Sequence, residues 1–515
     1  MTLPAQRPRT PAPGPGRATG KVVVVGAGFG GLAAALRLRA AGAEVTVVER
    51  GDRPGGRAGR LERAGFAFDT GPSVLTMPAL FAELFALFGE DMADHVRLRR
   101  LDPAYRAVYH DGSVLHVRGS TEAMEAEVRD VCGPAEAARF VRFAQHLHKL
   151  YDAEYDGFID GNFDSPLDLV RPAQMARIVR LGGFRRVAPL VGSYLKDWRL
   201  QRLFTFQAMY AGMSPYEALG VYAVIAYMDA IAGVFAADGG VHALSTALAD
   251  LAVRHGVDLR LSTPVARVDI AGGRAVGVVT EGGERVAADV VVLNPDLPIA
   301  YRDLLPPEAT PARVRRLQFS PSCVVVHLGL DRRLEGAAHH NIHFAQGYRE
   351  SFDDLLSGRL QRDASWFLSV PTVSDPSLAP PGGEVGFYLL PTPNLGGTPL
   401  NWDAQGPRER ELALDRIAAA GYGAVREATV TSEVVTPADW ERQGMAAGTP
   451  FAASHRFSQT GPSRPANVAP KVAGVVFAGS STTPGVGVPM VLVSGKLAAQ
   501  RVLARLPAAR GGGGS

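Results

Sequence analysis

Three glycines, Gly26, Gly28 and Gly31, stand in G-x-G-x-x-G spacing directly after four valines, Val22 to Val25, and Glu49 lies twenty-three positions beyond the first of them. Residues of these types at this spacing can hold a dinucleotide without bonding to it. The first glycine makes a tight turn, the second lets the backbone approach a pyrophosphate, and the third lets a helix pack closely on the preceding strand. Unpaired amides at that helix's N-terminus favour the phosphates, and a carboxylate at position 49 can accept both hydrogen bonds of a ribose diol. Phe29 and Arg50, beside these groups, are assigned to the same site.

Holding them in place takes a βαβ unit. The valines predict a buried strand, Gly30 to Ala41 a helix ended by Gly42, and Glu44 to Val48 a second strand that delivers Glu49. Glycine-rich turns are common, but strand, glycines, helix, strand and terminal Glu in register are not. Gly55, Gly56 and Arg57 follow at once. A plain NAD site needs no second Gly-Gly there, so the continuation points to FAD. Near the other end, Val475 to Ala478 predicts an apolar strand that runs into Gly479, Ser480 and a loop rich in Gly, Ser and Thr. A helix from Val488 to Leu503, entered through Gly487, then aims a second N-terminus at the cofactor.

Composition narrows the rest. A chain of 515 residues, 46% hydrophobic and 20% charged, suits a globular protein of two or three domains. A net charge of +3 is too small to imply nucleic acid. Two cysteines, Cys132 and Cys323, exclude a disulfide scaffold, a multi-cysteine metal site and a C-x-x-C pair, and both read as buried hydrophobes. No metal is assigned: His339, His340 and His343, with Gly336 and Gly347 nearby, read as a polar loop. Residues 1–20, rich in Pro, Gly, Ala and Arg, lack the apolar centre of a signal peptide and read as a disordered leader, and residues 506–515 as a flexible tail.

Pro78 to Gly89 predicts a helix with Leu80, Phe81, Leu84, Phe85 and Phe88 on one face, and Ala107 to His110 with Val114 to Val117 a hairpin turning at Asp111-Gly112. Residues 121 to 236 read as helical. Between Arg171 and Arg202 eight Lys or Arg face one acid, Asp197, and alternate with Ile178, Leu181, Phe184, Leu190, Tyr194, Leu195 and Trp198. Two readings stand open: a surface for the headgroups of an anionic bilayer, or a solvated basic face over core helices. Ala218 to Phe235 carries one charge in eighteen residues, Asp229. Asp229 and Gly233 argue against a membrane span and for a buried helix lining an apolar cavity. Ala237 to His255 reads as a helix entered through Gly239-Gly240. Leu259–Ser262, Ala266–Ile270, Ala275–Thr280 and Arg285–Ala287 read as a β-meander, and Val290–Leu293 as a buried strand.

Val24 to Leu32 (VVGAGFGGL), Gly55 to Arg57, FDTGP within Phe66 to Met77, Asn294-Pro295-Asp296, Ser320 to Ser322, Asp375 to Pro381 (DPSLAPP) and Gly479 to Pro489 (GSSTTPGVGVP) resemble bacterial carotenoid desaturases of the phytoene-desaturase type. The resemblance spans most of residues 21 to 505 and is most specific at its two ends. It implies an α/β chain, a glutathione-reductase-like Rossmann FAD domain (21–75, 237–295, 446–505) with an inserted mixed α+β substrate domain (76–236, 296–445). It places Val265 at the adenine and makes Arg57 a cation near the flavin or its phosphates. It further implies dehydrogenation of a linear C40 carotenoid by hydride transfer to FAD. Quinone or oxygen would be the electron acceptor, and the enzyme would sit peripherally on the cytoplasmic face of a membrane.

Many relatives have His where this chain has Thr483, so a catalytic histidine is not available at that position. Thr483 is carried with Arg57 and Asp229 as the catalytic set, Asp229 as a proton acceptor whose burial raises its pKa. Thr483 and SVLTMP (Ser73 to Pro78) are also similar to later-step enzymes that add a terminal 3,4 double bond, so both substrates stay open. The alternatives are an amine oxidase-like enzyme, or a non-catalytic isoprenoid carrier resembling the Rab GDP-dissociation inhibitors. The latter do not keep the intact flavin motifs this chain retains.

Overall fold

The computed structural model describes residues 19–155, 160–162, 172–397 and 399–507. Most of the leader and tail, and Arg171 of the basic stretch, lie outside the described residues.

The chain begins with β1 (Lys21–Val25), whose four valines are at most 6% exposed. Each valine so buried stabilises the fold by roughly 1.5–3 kcal/mol. Helix α1 (Phe29–Ala40) follows, and β2 (Glu44–Val48) pairs parallel to β1, Val25 facing Val48. The Leu80, Phe81, Leu84 and Phe85 face of the next helix, Ala79–Ala86, is buried as its spacing requires.

The helical stretch includes α2 (Pro172–Arg180) and α3 (Ala223–Ala230). The expected eighteen-residue helix is broken. Gly220 packs so near the Gly182 carbonyl that a Cβ would stand 2.4 Å from it, and a 3-10 turn forms over Gly220–Tyr222. After Ala230 the chain passes Gly233 (φ +111°), against the Arg100 guanidinium, and Phe235–Ala237 becomes a strand antiparallel to Leu98–Arg100. Tertiary packing thus overrides an apolar run that looks uniform in sequence. Among the described residues no helix is long and apolar enough to cross a membrane.

Helix α4 (Val241–Arg254) leads through Gly256 (φ +83°) into β3 (Asp258–Arg260), which pairs parallel to β2. This corrects the meander reading of Leu259–Ser262: the turn at Gly256 lays that segment directly on the edge of the nucleotide sheet. The meander proper is Val265–Ala271, Arg274–Thr280 and Arg285–Ala287. It returns the chain to β4 (Val290–Leu293); much later β5 (Val475–Phe477) and α5 (Val488–Leu503) complete the layer. The sheet runs β5-β4-β1-β2-β3, all parallel. Helices α1 and α5 cross where a Cβ on Gly495 would meet the Gly30 carbonyl at 2.5 Å.

A second, seven-stranded sheet includes Ser322–Leu330, buried along its whole length between Glu384–Thr392 and the edge strand Thr429–Val435. The hairpin Tyr105–Val108/Val114–Val117 joins it by parallel pairing with His340–His343. His340 and His343 therefore belong to a strand rather than a polar loop, with His339 in the bend just before it. His340 is bracketed by the Ala104 and Ser73 carbonyls at 3.1 and 3.2 Å, and His343 stacks on Trp366 at 3.8 Å. Burial holds His340 down at about 4. Cys323 is buried as expected, while Cys132 is only half-buried.

Candidate functional site

A cavity of about 1210 Å³ opens at the carboxyl ends of β1, β2 and β4 and continues between the two sheets. In a sheet ordered this way, the connections leave β1 in opposite directions on its two sides, and that divergence makes the crevice. Gly26 (φ +101°) turns the chain out of β1. Gly28 bridges to Gly55, and a Cβ on it would lie 3.0 Å from Asn294 Oδ1. Gly31 is not on the wall; a Cβ there would sit 2.0 Å from the Gly26 carbonyl, so its job is helix–strand approach.

Glu49, 9% exposed, is aimed by its own neighbours: Oε2 accepts from the Ala27 amide at 2.7 Å and Oε1 from Gly51 at 2.8 Å. Each oxygen keeps acceptor capacity for a diol. Two helix N-termini, α1 at Gly28 and α5 at Gly487, carry no side-chain cap, and Phe29, Gly30, Gly487 and Val488 line the cavity. Uncapped amides, glycines without room for a Cβ and a carboxylate held ready fit a dinucleotide with a pyrophosphate. Arg50, Gly56, Val265, Gly479, Ser480 and Thr483 lie on the same wall. The Arg50 guanidinium donates to the Gln443 carbonyl.

Arg57 donates to Ser480 Oγ at 3.1 Å and stands 3.8 Å from Asp296, whose carboxylate also accepts from the amides of Leu297 and Ala446 and from the Ser481 hydroxyl. One cation thus clasps three distant stretches of chain at the cavity wall. Asp229, 2% exposed, also lines the cavity. Tyr105 donates to Oδ1, Gln207 approaches Oδ2 at 3.4 Å, and burial, only partly offset by these donors, pushes the carboxyl up to about 7.

Three residues at the site were not singled out in the sequence. Asp69 fixes the start of α4, accepting from the amides of Val241 and His242 at 2.7 and 3.0 Å. Fully buried Arg464 donates to the carbonyls of Thr482 (2.9 Å), Ser480 (2.6 Å), Ala453 (3.2 Å) and Gln459 (3.3 Å), holding the Ser480–Thr482 loop from behind. Burial lowers it to about 10, so it stays charged. His455, 7% exposed, reaches the Thr483–Gly487 loop. Asp69 alone had a sequence signal, the FDTGP stretch.

Flavin containing amine oxidoreductases are matched as a family by residues 29–503. A phytoene dehydrogenase of Streptomyces griseus is 49% identical over 504 residues, covering 96% of this chain and 98% of that protein. The chain belongs to the bacterial carotenoid desaturases. A zeta-carotene-forming phytoene desaturase of Myxococcus xanthus is 37% identical, over 94% of each chain. The solved cyclohexylamine oxidase of Brevibacterium oxydans shares the fold, with a TM-score of 0.58 at 20% identity over 94% of this chain and 99% of that one. This desaturase is accordingly an FAD-dependent oxidoreductase, with a Rossmann FAD domain joined to a substrate domain.

Proposed function

We propose that this desaturase dehydrogenates a linear acyclic C40 carotenoid, by phytoene-type desaturation or by terminal 3,4-desaturation. The observation that carries this reading is the continuity of one cavity from the glycine cradle to an apolar wall of Phe206, Ile225, Met228, Phe344, Tyr348 and Phe352. Bound FAD supplies a hydride acceptor at its N5. The chain's own share is to lay a long hydrocarbon along that wall, bring one allylic CH₂–CH₂ unit to the cofactor end, exclude water and accept a proton. An allylic position suits the step because the adjacent polyene spreads the developing positive charge. Asp229 on the cavity wall is one group able to take the proton, with Arg57 and Thr483 lining the cofactor end.

A substrate that dissolves only in lipid supports a peripheral membrane enzyme on the cytoplasmic side, passing electrons to quinone or oxygen. The basic stretch divides in two. Arg199 is bound to Asp197 at 2.7 Å, and Arg202 donates to the carbonyls of Ala345 and Gln346 while lying over Trp198, so both are structural. Arg177, Arg180 and Arg185 are exposed beside Val179 (57% exposed) and Phe184 (46%), the pairing of cations and bare apolar side chains that suits a headgroup layer.

The test is to incubate liposomes carrying the FAD enzyme separately with phytoene and with lycopene or its 1-hydroxy derivative, following absorption maxima. Conversion of colourless phytoene establishes the early step. A red shift from the coloured substrates alone establishes the later one. No shift from any of them, with FAD bound, defeats the substrate reading.

A further inference from the structure

We infer that Arg464 is a positioning residue for the flavin, a cation buried behind the Ser480–Thr483 loop that stabilises the negative charge the flavin carries once it has accepted a hydride. This rests on the desaturase reading above for the hydride, and not for which carotenoid supplies it. Ser480 and Thr483 line the cavity where the cofactor motifs converge and Arg464 does not, so the loop stands between the guanidinium and the cavity.

The guanidinium aims the loop. It draws the Ser480 carbonyl to 2.6 Å and the Thr482 carbonyl to 2.9 Å. The two peptide units that carry these carbonyls are trans and planar, so the amides of Ser481 and Thr483 point the opposite way, away from Arg464. Neither amide donates to any group among the described residues. Pro484 follows with no amide of its own, and the N-terminus of α5 at Gly487 carries no side-chain cap. Amides without acceptors, turned outward by a cation behind them, make a place for negative charge.

The charge of Arg464 is not cancelled where it stands. All four of its hydrogen-bond acceptors, on Ser480, Thr482, Ala453 and Gln459, are neutral carbonyls. Asp296 acts on it through space and is already paired with Arg57 at 3.8 Å. The other titratable groups beside the loop are uncharged, since burial pushes Tyr222 and Glu154 upward and holds His455 well down. Two cations and one carboxylate leave one positive charge over. An unpaired buried cation is costly, and an anion in the cavity offsets that cost. The pyrophosphate is provided for elsewhere, by the glycine turn and the start of α1. Hydride transfer creates a second anion: two electrons and one hydrogen pass from the substrate to an uncharged flavin ring, the substrate's other hydrogen leaves as a proton to a base, and the ring ends with one negative charge. A cation that meets this charge and finds none on the oxidised ring favours the forward step.

Wild-type holoenzyme gives the first test, which depends on no variant folding. The potential of a couple that takes up two electrons and one proton falls by about 30 mV per pH unit, against about 59 mV for two protons. The expected slope is about 30 mV from pH 8 down to pH 6, the mark of a flavin kept anionic when reduced. Sulfite adds to the flavin N5 and leaves the ring negative, so its affinity reads the same stabilisation without turnover. Arg464→Gln is expected to bind sulfite at least about tenfold more weakly and to lower the flavin potential by about 30 mV or more. Arg464→Lys keeps the charge with fewer donors and should stay within about threefold of wild type in sulfite affinity. A two-proton slope in the wild type overturns the proposal, as do equal losses in the Lys and Gln variants or wild-type sulfite affinity in a flavin-loaded Arg464→Gln. None of these readouts uses a carotenoid, so a flavin that passes them but that no carotenoid bleaches strikes the substrate reading alone.

Discussion

The two ends of the cavity are built from different materials. The cofactor end is mostly backbone: glycines at 26, 28, 55, 56 and 479, two uncapped helix starts, and Glu49 held by two amides. The far end is side chains, aromatic and aliphatic, with a buried carboxyl at Asp229. Backbone walls recognise what every FAD molecule carries, a pyrophosphate and a ribose. Side-chain walls can be re-cut residue by residue. Cofactor binding is thus tied to backbone at one end, while the lining of the other end can change one side chain at a time.

The comparison breaks most sharply at Gly31. A valine there meets the Gly26 carbonyl, 2.0 Å from the first added carbon, so Gly31→Val should cost about 3 kcal/mol or more and leave no flavin absorbance. Glu49→Arg should give a folded, colourless protein, and Glu49→Gln a loss of about 1.5–3 kcal/mol in FAD binding, measured by titration of apoenzyme. Flavin absorbance equal to wild type in Glu49→Arg would show the carboxylate has no part in binding.

At the side-chain end, Asp229 is raised from 3.8 to about 7. The native state then holds a proton that the unfolded chain gives up, so stability is full below about pH 4 and is lost as pH rises through 7, by on the order of 4 kcal/mol. Asp229→Asn, neutral at every pH, should melt progressively higher than wild type between pH 5 and pH 8; a constant difference would rule out the buried acid. His340 runs the other way. Held at about 4, it stays neutral while unfolded histidine protonates, so stability is full above pH 6.5 and falls toward pH 4, by about 3 kcal/mol. His340→Asn should flatten that acid limb. The smallest effect per residue concerns the outside: Arg177, Arg180 and Arg185 changed together to Glu should weaken binding to anionic vesicles by about 1 kcal/mol per residue, and unchanged sedimentation would sink the membrane reading.

The backbone end was readable in the sequence because its signals are local. Val22 to Glu49 contains its own strand, turn, helix and strand, and the expected α5 coincides with the observed one. The side-chain end was much less so. His455 and Arg464 act on a loop some twenty to thirty residues away, and nothing around them in sequence marks that contact. The run from Ala218 to Phe235 looked like one helix because hydropathy does not record that Gly220 and Gly233 are crowded by Gly182 and Arg100. His340 to His343 looked like a loop because its partner strands come from residues 105–108 and 366–369.

The clasp of Arg57 on Ser480 and Asp296 has a consequence for the order of events in synthesis. Its three members span more than four hundred residues from first to last, and β5 and α5 are the last elements described. A ribosome-bound chain has made Glu49 and the first glycines early, but the floor opposite them is still unwritten. That wall of the cavity closes only once the segment from Ser480 to Val488 has been made, late in synthesis.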